Sequence, residues 1–125
     1  MQNQVPILQM GDVLIVTIKP DLTDDEAVKL KDDILHEIKK NNIYGLILDI
    51  SVVDLIDSYM GRILSEMSDM SRLMGASTVI TGMSPYVAIS MVEFGLNFRS
   101  IQTALTVEKG MEWLNISRTM GVSHG

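Results

Sequence analysis

The sequence predicts an α/β fold: a mixed, mostly parallel central sheet with a leading hairpin strand and about four helices. Three observations predict it. Short apolar runs alternate with longer amphipathic segments along the chain, the pattern of a sheet covered by crossover helices. Two of those runs flank Gly11-Asp12 near the start, as in a hairpin. Thr23-Asp-Asp-Glu26 has the spacing of a capping box, in which the Thr23 hydroxyl caps a helix and Glu26 reaches back.

Taken in order, Ile7-Leu-Gln-Met10 and Val13-Leu-Ile-Val-Thr-Ile18 form the two hairpin strands. The second is apolar on both faces, as a covered strand is, and Pro20 ends it. Ala27, Leu30, Ile34 and Ile38 recur at helical steps with Leu35 beside them, which gives an amphipathic helix over about 23–41, closed at Asn41-Asn42. Ile43 to Ile50 reads as a buried strand. A second helix opens near Asp57-Ser58 and turns Met60, Ile63, Leu64, Met67 and Met74 inward, with Gly75 as its C′ residue. Ser77 to Gly82 is a further strand. Ser84 caps a short helix with Pro85 at its first position, running through Ile89 and Val92 to Gly95. Gln102-Thr-Ala-Leu105 is the last strand, and Thr106 caps a helix carrying Met111 and Leu114. From Ser117 onward the chain is small and polar and is expected to fray.

Composition bounds the function. The 125 residues suit one domain that buries about two-thirds of its unfolded surface. Without cysteine there are no disulfides and no thiolate metal sites. Ten Lys+Arg against sixteen Asp+Glu give a net charge of −6, which argues against nucleic acid or an anionic membrane and favours protein partners. The first residues lack the basic region and apolar run of a secretory signal, and no apolar run approaches the ~18 residues of a membrane span. A cytoplasmic protein is expected. Ten methionines suit an aliphatic core with irregular gaps, or a few partner-facing positions.

The chemistry concentrates at Asp57-Ser58. A serine at a helix start is a cap, a nucleophile or a phosphoryl acceptor. A nucleophile needs a base, and neither His36 nor His124 is placed by a motif near Ser58; Gly-x-Ser-x-Gly is absent. A phospho-aspartate receiver built on Asp49 would need an acidic pair after the first long strand and a lysine after a late one, and Ile18-Lys-Pro20 and Gln102–Thr106 supply neither. No phosphate-binding Gly-rich motif occurs. No cofactor, no metal and no enzymatic activity are expected. Cap and phosphoryl acceptor both stay open on the residues alone.

Asp49-Ile-Ser-Val-Val-Asp-Leu-Ile-Asp-Ser58, followed by Leu73-Met-Gly-Ala76 and Val79-Ile-Thr-Gly-Met83, resembles the STAS domain family, the anti-anti-sigma-factor-like modules of bacterial regulation. The similarity covers about 5–117 in the right element order. It implies the STAS fold as a single domain over 1–117, with 118–125 a flexible tail. Pro6-Ile-Leu8, Asp54-Leu-Ile-Asp-Ser58, Met70-Ser-Arg-Leu-Met-Gly-Ala76 and Thr81-Gly-Met83 before Pro85 resemble the stressosome scaffold subgroup in particular. That resemblance implies a non-catalytic scaffold in a large hetero-oligomeric complex with sensor-bearing STAS paralogues. It implies a sequestered serine/threonine kinase, a phosphatase that resets the system, and a homodimer as building unit. The implied phosphorylation site is Ser58; Thr81 falls near a second acceptor position used by the paralogues, where a plain strand-end threonine is the favoured reading. Asp54, Asp57, Tyr59 and Met60 are the partner-binding candidates, with core packing equally open for Met60. A stand-alone antagonist that binds an anti-sigma kinase is the alternative role.

Overall fold

Leu46, Ile47 and Leu48 are fully buried, so the strand they form must be covered on both faces. A computed structural model, which describes residues 5–95 and 101–119, shows how this is done. The order is β1 (Ile7–Met10), β2 (Val13–Thr17), α1 (Asp24–Asn41), β3 (Gly45–Asp49), α2 (Ser58–Leu73), β4 (Ser77–Thr81), α3 (Pro85–Glu93), β5 (Gln102–Ala104) and α4 (Val107–Thr119). The sheet follows the order β1-β2-β3-β4-β5. β1 pairs antiparallel with β2, with Ile7 opposite Val16, and the remaining neighbours are parallel. This is the predicted mixed sheet with its leading hairpin and four helices.

The period-2 alternation of the strands divides the core. Leu14, Val16, Leu46, Leu48 and Ile80 face the larger cluster, with Leu30, Ile34 and Ile38 of α1, Leu64 and Met67 of α2, and Val87 and Met91 of α3. Val13, Ile47 and Val79 face the other way, onto Leu114 of α4. Gly45 makes room for that helix: a Cβ there would lie 2.7 Å from Leu114 Cδ1. Parallel pairing sends β2, β3 and β4 out at the same edge, so the loops after Thr17, Asp49 and Thr81 gather there. The antiparallel β1 enters the sheet from that edge.

The predicted caps form. Thr23 Oγ1 accepts from the Glu26 N–H at 3.2 Å, and Glu26 Oε1 accepts from the Thr23 N–H at 2.9 Å. Asn42 closes α1 in the left-handed conformation (φ 51°), and Ser84 and Thr106 cap α3 and α4. The Thr23 N–H, and then Lys19, hold the Glu26 carboxyl below the usual carboxylate range. The sign follows from that depression: the box contributes fully at neutral pH, and its contribution is lost as pH falls through the lowered Glu26 titration.

Three expectations change. Met74 was expected inward, but α2 ends at Leu73 and Met74 sits in the cap, exposed, because the helix stops before that position turns to the core. Leu105 lies beyond the three-residue β5 and is exposed. The chain does not fray at Ser117: α4 continues to Thr119 and Ser117 is buried. Arg118 explains the longer helix. Its Nη2 donates to Asp12 Oδ1 at 2.6 Å while the guanidinium lies 4.1 Å from the Tyr44 ring centroid, tying the last helix to the hairpin turn. Residues 120–125, which hold His124 and most of the expected tail, lie outside the described residues.

Two outcomes check this description. Leu114→Ala, which leaves the α4 face of the sheet with a void, lowers the unfolding free energy by about 2–5 kcal/mol in urea titration. In an NMR titration the Glu26 carboxyl midpoint lies below that of an unstructured glutamate, and Thr23→Ala moves it upward.

Candidate functional site

Asp49 ends β3 and Ser58 begins α2, so the intervening loop crosses the edge of the sheet where the parallel strands exit. Two apolar residues pin that loop down: Val53 and Ile56 are buried in the main cluster. Between and beyond them Val52, Asp54, Leu55, Asp57, Ser58 and Tyr59 are exposed. The sequence therefore alternates anchors with presented side chains.

The residues Asp57 and Ser58 divide the work at the helix start. Asp57 is the N-cap, in extended conformation, and its Oδ1 accepts from the Met60 N–H at 2.8 Å. Its carbonyl also accepts the Gly61 N–H at 3.0 Å, starting the helical ladder. Ser58 is the first helical residue, exposed and outside the cap interaction. Its hydroxyl sits beside backbone N–H groups that the helix leaves unpaired, where a negative charge is favoured.

The candidate partner residues do not all face outward. Asp54 and Asp57 are exposed, and Tyr59 is 37% exposed. Met60 is half-buried against the main core, so most of its side chain serves packing. Leu55 was missed by sequence reasoning. At 78% exposed it stands three residues before Ser58, with Val52 also exposed beside it. An exposed apolar rim on an acidic loop is not legible in a strand-and-turn reading, because Val52-Val53 and Leu55-Ile56 are apolar pairs and nothing in the sequence tells the buried member from the exposed one. Arg62 was missed as well. It is exposed four residues after Ser58 on α2, on the same helix face, and the i,i+4 spacing could have found it.

Thr81 lies elsewhere in accessibility. It ends β4, is 0% exposed, and its Oγ1 donates to Asp49 Oδ1 at 2.7 Å. Asp49, weighed above as a receiver aspartate, also accepts from Ser51 Oγ at 2.7 Å, so both of its carboxylate oxygens are engaged. His36 is on the exposed side of α1, with Nδ1 2.8 Å from the Asp32 carbonyl oxygen. Among the described residues no group of acids and histidines is spaced to hold a metal ion. No helix among them is long and apolar enough to cross a membrane.

The arrangement is an exposed hydroxyl on the first residue of a helix, with two exposed aspartates and the exposed Leu55 and Tyr59 close to it in sequence. Chemically, such a hydroxyl is open to modification from solvent.

Comparisons with known proteins bear on the fold and the family. A family model described as the STAS domain matches residues 4–110. The RsbT co-antagonist protein RsbRD of Bacillus subtilis (strain 168) is 25% identical over 107 residues, which cover 85% of this chain and 38% of that protein. The chain thus spans little more than a third of the length of the three RsbT co-antagonist proteins it matches. Among solved structures, Moorella thermoacetica RsbS S58E superposes with a TM-score of 0.83 at 38% identity, covering 93% of this chain and 99% of that one. A chain of a structure described as the molecular architecture of the stressosome, a signal integration and transduction hub, superposes with a TM-score of 0.81 at 38% identity, covering 90% and 99%.

The cap assignment is checked by two variants. Asp57→Ala lowers stability by about 0.5–2 kcal/mol in thermal or urea unfolding, and Asp57→Asn, which keeps the accepting oxygen, costs less.

Proposed function

This chain belongs to the STAS domain family, and we propose that within it the protein is a non-catalytic stressosome scaffold, holding a serine/threonine kinase and releasing it when Ser58 is phosphorylated. One observation carries the reading: Ser58 is exposed at the first position of α2 while Asp57 does the capping. The hydroxyl is free to be modified without unmaking the helix start.

The energetics support a switch that acts on the partner and not on the fold. A phosphoserine adds about −1.5 to −2 charges and three acceptor oxygens. At a helix N-terminus that charge is stabilised by about 0.3–1 kcal/mol. Arg62, one turn along, adds a further few tenths of a kcal/mol, about the worth of an i,i+4 pair. Outside the helix the same phosphate stands beside the exposed Asp54 and Asp57. A kinase docked over the Leu55 and Tyr59 rim then meets concentrated negative charge, and its affinity falls.

Likeness to RsbT co-antagonists and to a stressosome chain supports a hetero-oligomer with longer STAS paralogues; an RsbT-like kinase as the bound enzyme and a phosphatase that resets Ser58 complete the proposal. The relative at 38% identity carries a serine-to-glutamate change at its residue 58, a substitution that imitates a phosphate's charge. A homodimer is the proposed building unit. Thr81 is not a second acceptor in this conformation, since its hydroxyl is buried and already donating.

The test is incubation with an RsbT-like kinase and ATP, read by mass spectrometry. Wild type gains one phosphate and Ser58→Ala none; a phosphate that persists in Ser58→Ala refutes the site. Ser58→Asp weakens kinase binding about tenfold or more, as new like charge at an interface does, while its unfolding free energy stays within about 0.5 kcal/mol of wild type. Light scattering separates the two roles: a megadalton particle with an RsbR-type paralogue supports the scaffold, and a small complex with one kinase dimer supports the stand-alone antagonist.

A further inference from the structure

Three side chains at the exit edge of the sheet have no part in the switch as described. The Asp49 carboxylate accepts from Thr81 Oγ1 through Oδ1 and from Ser51 Oγ through Oδ2, both at 2.7 Å. Hydrogen bonds to a carboxylate at this length are the strong, charge-assisted kind. Thr81 belongs to β4 and Ser51 to the loop that carries Ser58, so the carboxylate joins two segments 30 residues apart.

The backbone repeats the connection. The Ile50 N–H donates to the Thr81 carbonyl at 2.9 Å. Gly82, with φ +76°, lies under Ser51 so closely that a Cβ on it would sit 2.7 Å from Ser51 Cβ and 2.9 Å from Ser51 Cα. From the other side α4 closes over the threonine: a Cβ on Gly110 would lie 3.1 Å from Thr81 Cγ2. The start of the loop is thus held by a carboxylate, a backbone hydrogen bond and a glycine contact, and its end by the Asp57 cap.

We propose that Asp49, Ser51 and Thr81 form a clamp that positions the 50–57 loop, so that Ser58 and its rim reach the kinase pre-ordered. The three are positioning residues for phosphoryl transfer, and the buried Thr81 hydroxyl acts as a hydrogen-bond donor. This rests on Ser58 being the acceptor. The transfer itself belongs to the kinase: the bond from Ser58 Oγ to phosphorus forms as the γ-phosphoryl group leaves ADP, and the hydroxyl proton passes to a kinase base. The clamp reduces the ordering that the loop must undergo on docking, so it acts on binding of the substrate loop more than on the chemical step.

The experiment uses the full chain in three forms, Thr81→Val, Thr81→Ser and Ser51→Ala, the last an exposed position that does not threaten folding. Hydrogen exchange is read over residues 51–57 and, separately, over β2 and β3. In Thr81→Val and Ser51→Ala, exchange at 51–57 rises about tenfold, as loss of a hydrogen bond to a charged group implies, while β2 and β3 are unchanged. With an RsbT-like kinase and ATP, KM for the scaffold rises about three- to tenfold and kcat stays within about twofold, as loss of pre-ordering predicts. Thr81→Ser returns both readouts to within about twofold of wild type, since the donor is restored. Exchange at 51–57 equal to wild type in both variants, or a rise shared equally by β2 and β3, overturns the clamp. So does a fall in kcat at constant KM. A wild-type chain that takes no phosphate on Ser58 refutes the acceptor reading, and the exchange data alone then decide whether the loop is clamped.

Discussion

Everything in this molecule is arranged around β3, a five-residue strand with no face to spare. Leu46 and Leu48 turn to one side and Ile47 to the other, and all are sealed from water. A strand buried on both faces needs helices on both, which the chain supplies as α1, α2 and α3 on one side and α4 on the other. Its parallel neighbours then fix where connections emerge. The loop that presents Ser58 is where it is because β3 must be central and must end at Asp49.

Much of this was legible in the residues. The stripe of Ala27, Leu30, Ile34 and Ile38, the capping box, and the Gly11-Asp12 turn each encode a local decision that tertiary packing had no reason to overrule. The site was legible in part. Asp57-Ser58 was readable as a helix start, but which of the two would cap depends on a single backbone conformation that either could adopt. What was not legible came from contacts distant in sequence. Arg118 reaches Asp12 across most of the chain, and Thr81 reaches Asp49 across the sheet. No periodicity marks such a pair. The misjudged Met74 is of another kind: the helical pattern continued one step past the point where Gly75, at φ +92°, required the chain to leave it.

The proposed acceptor site would let the fold host a large charge at little structural cost. The cap, the anchors Val53 and Ile56, and the acceptor are separate residues, so changing one leaves the others engaged. A protein that used its serine as the cap would lose part of its helix start on modification. Here the helix keeps its aspartate cap, and a charge added at Ser58 would lie on the surface.

The single reversed strand has a consequence for how such a domain can be wired to others. Because β1 runs against β2, with Ile7 beside Val16, the chain enters at the same rim of the sheet from which Ser58 is displayed. It departs from the opposite rim, where Arg118 fastens α4 to Asp12. The two rims are separated by the length of a strand, about 17 Å. The hairpin therefore gives the described fold a direction, with β1 beginning on the same rim as Ser58 and the end of α4 held at the other.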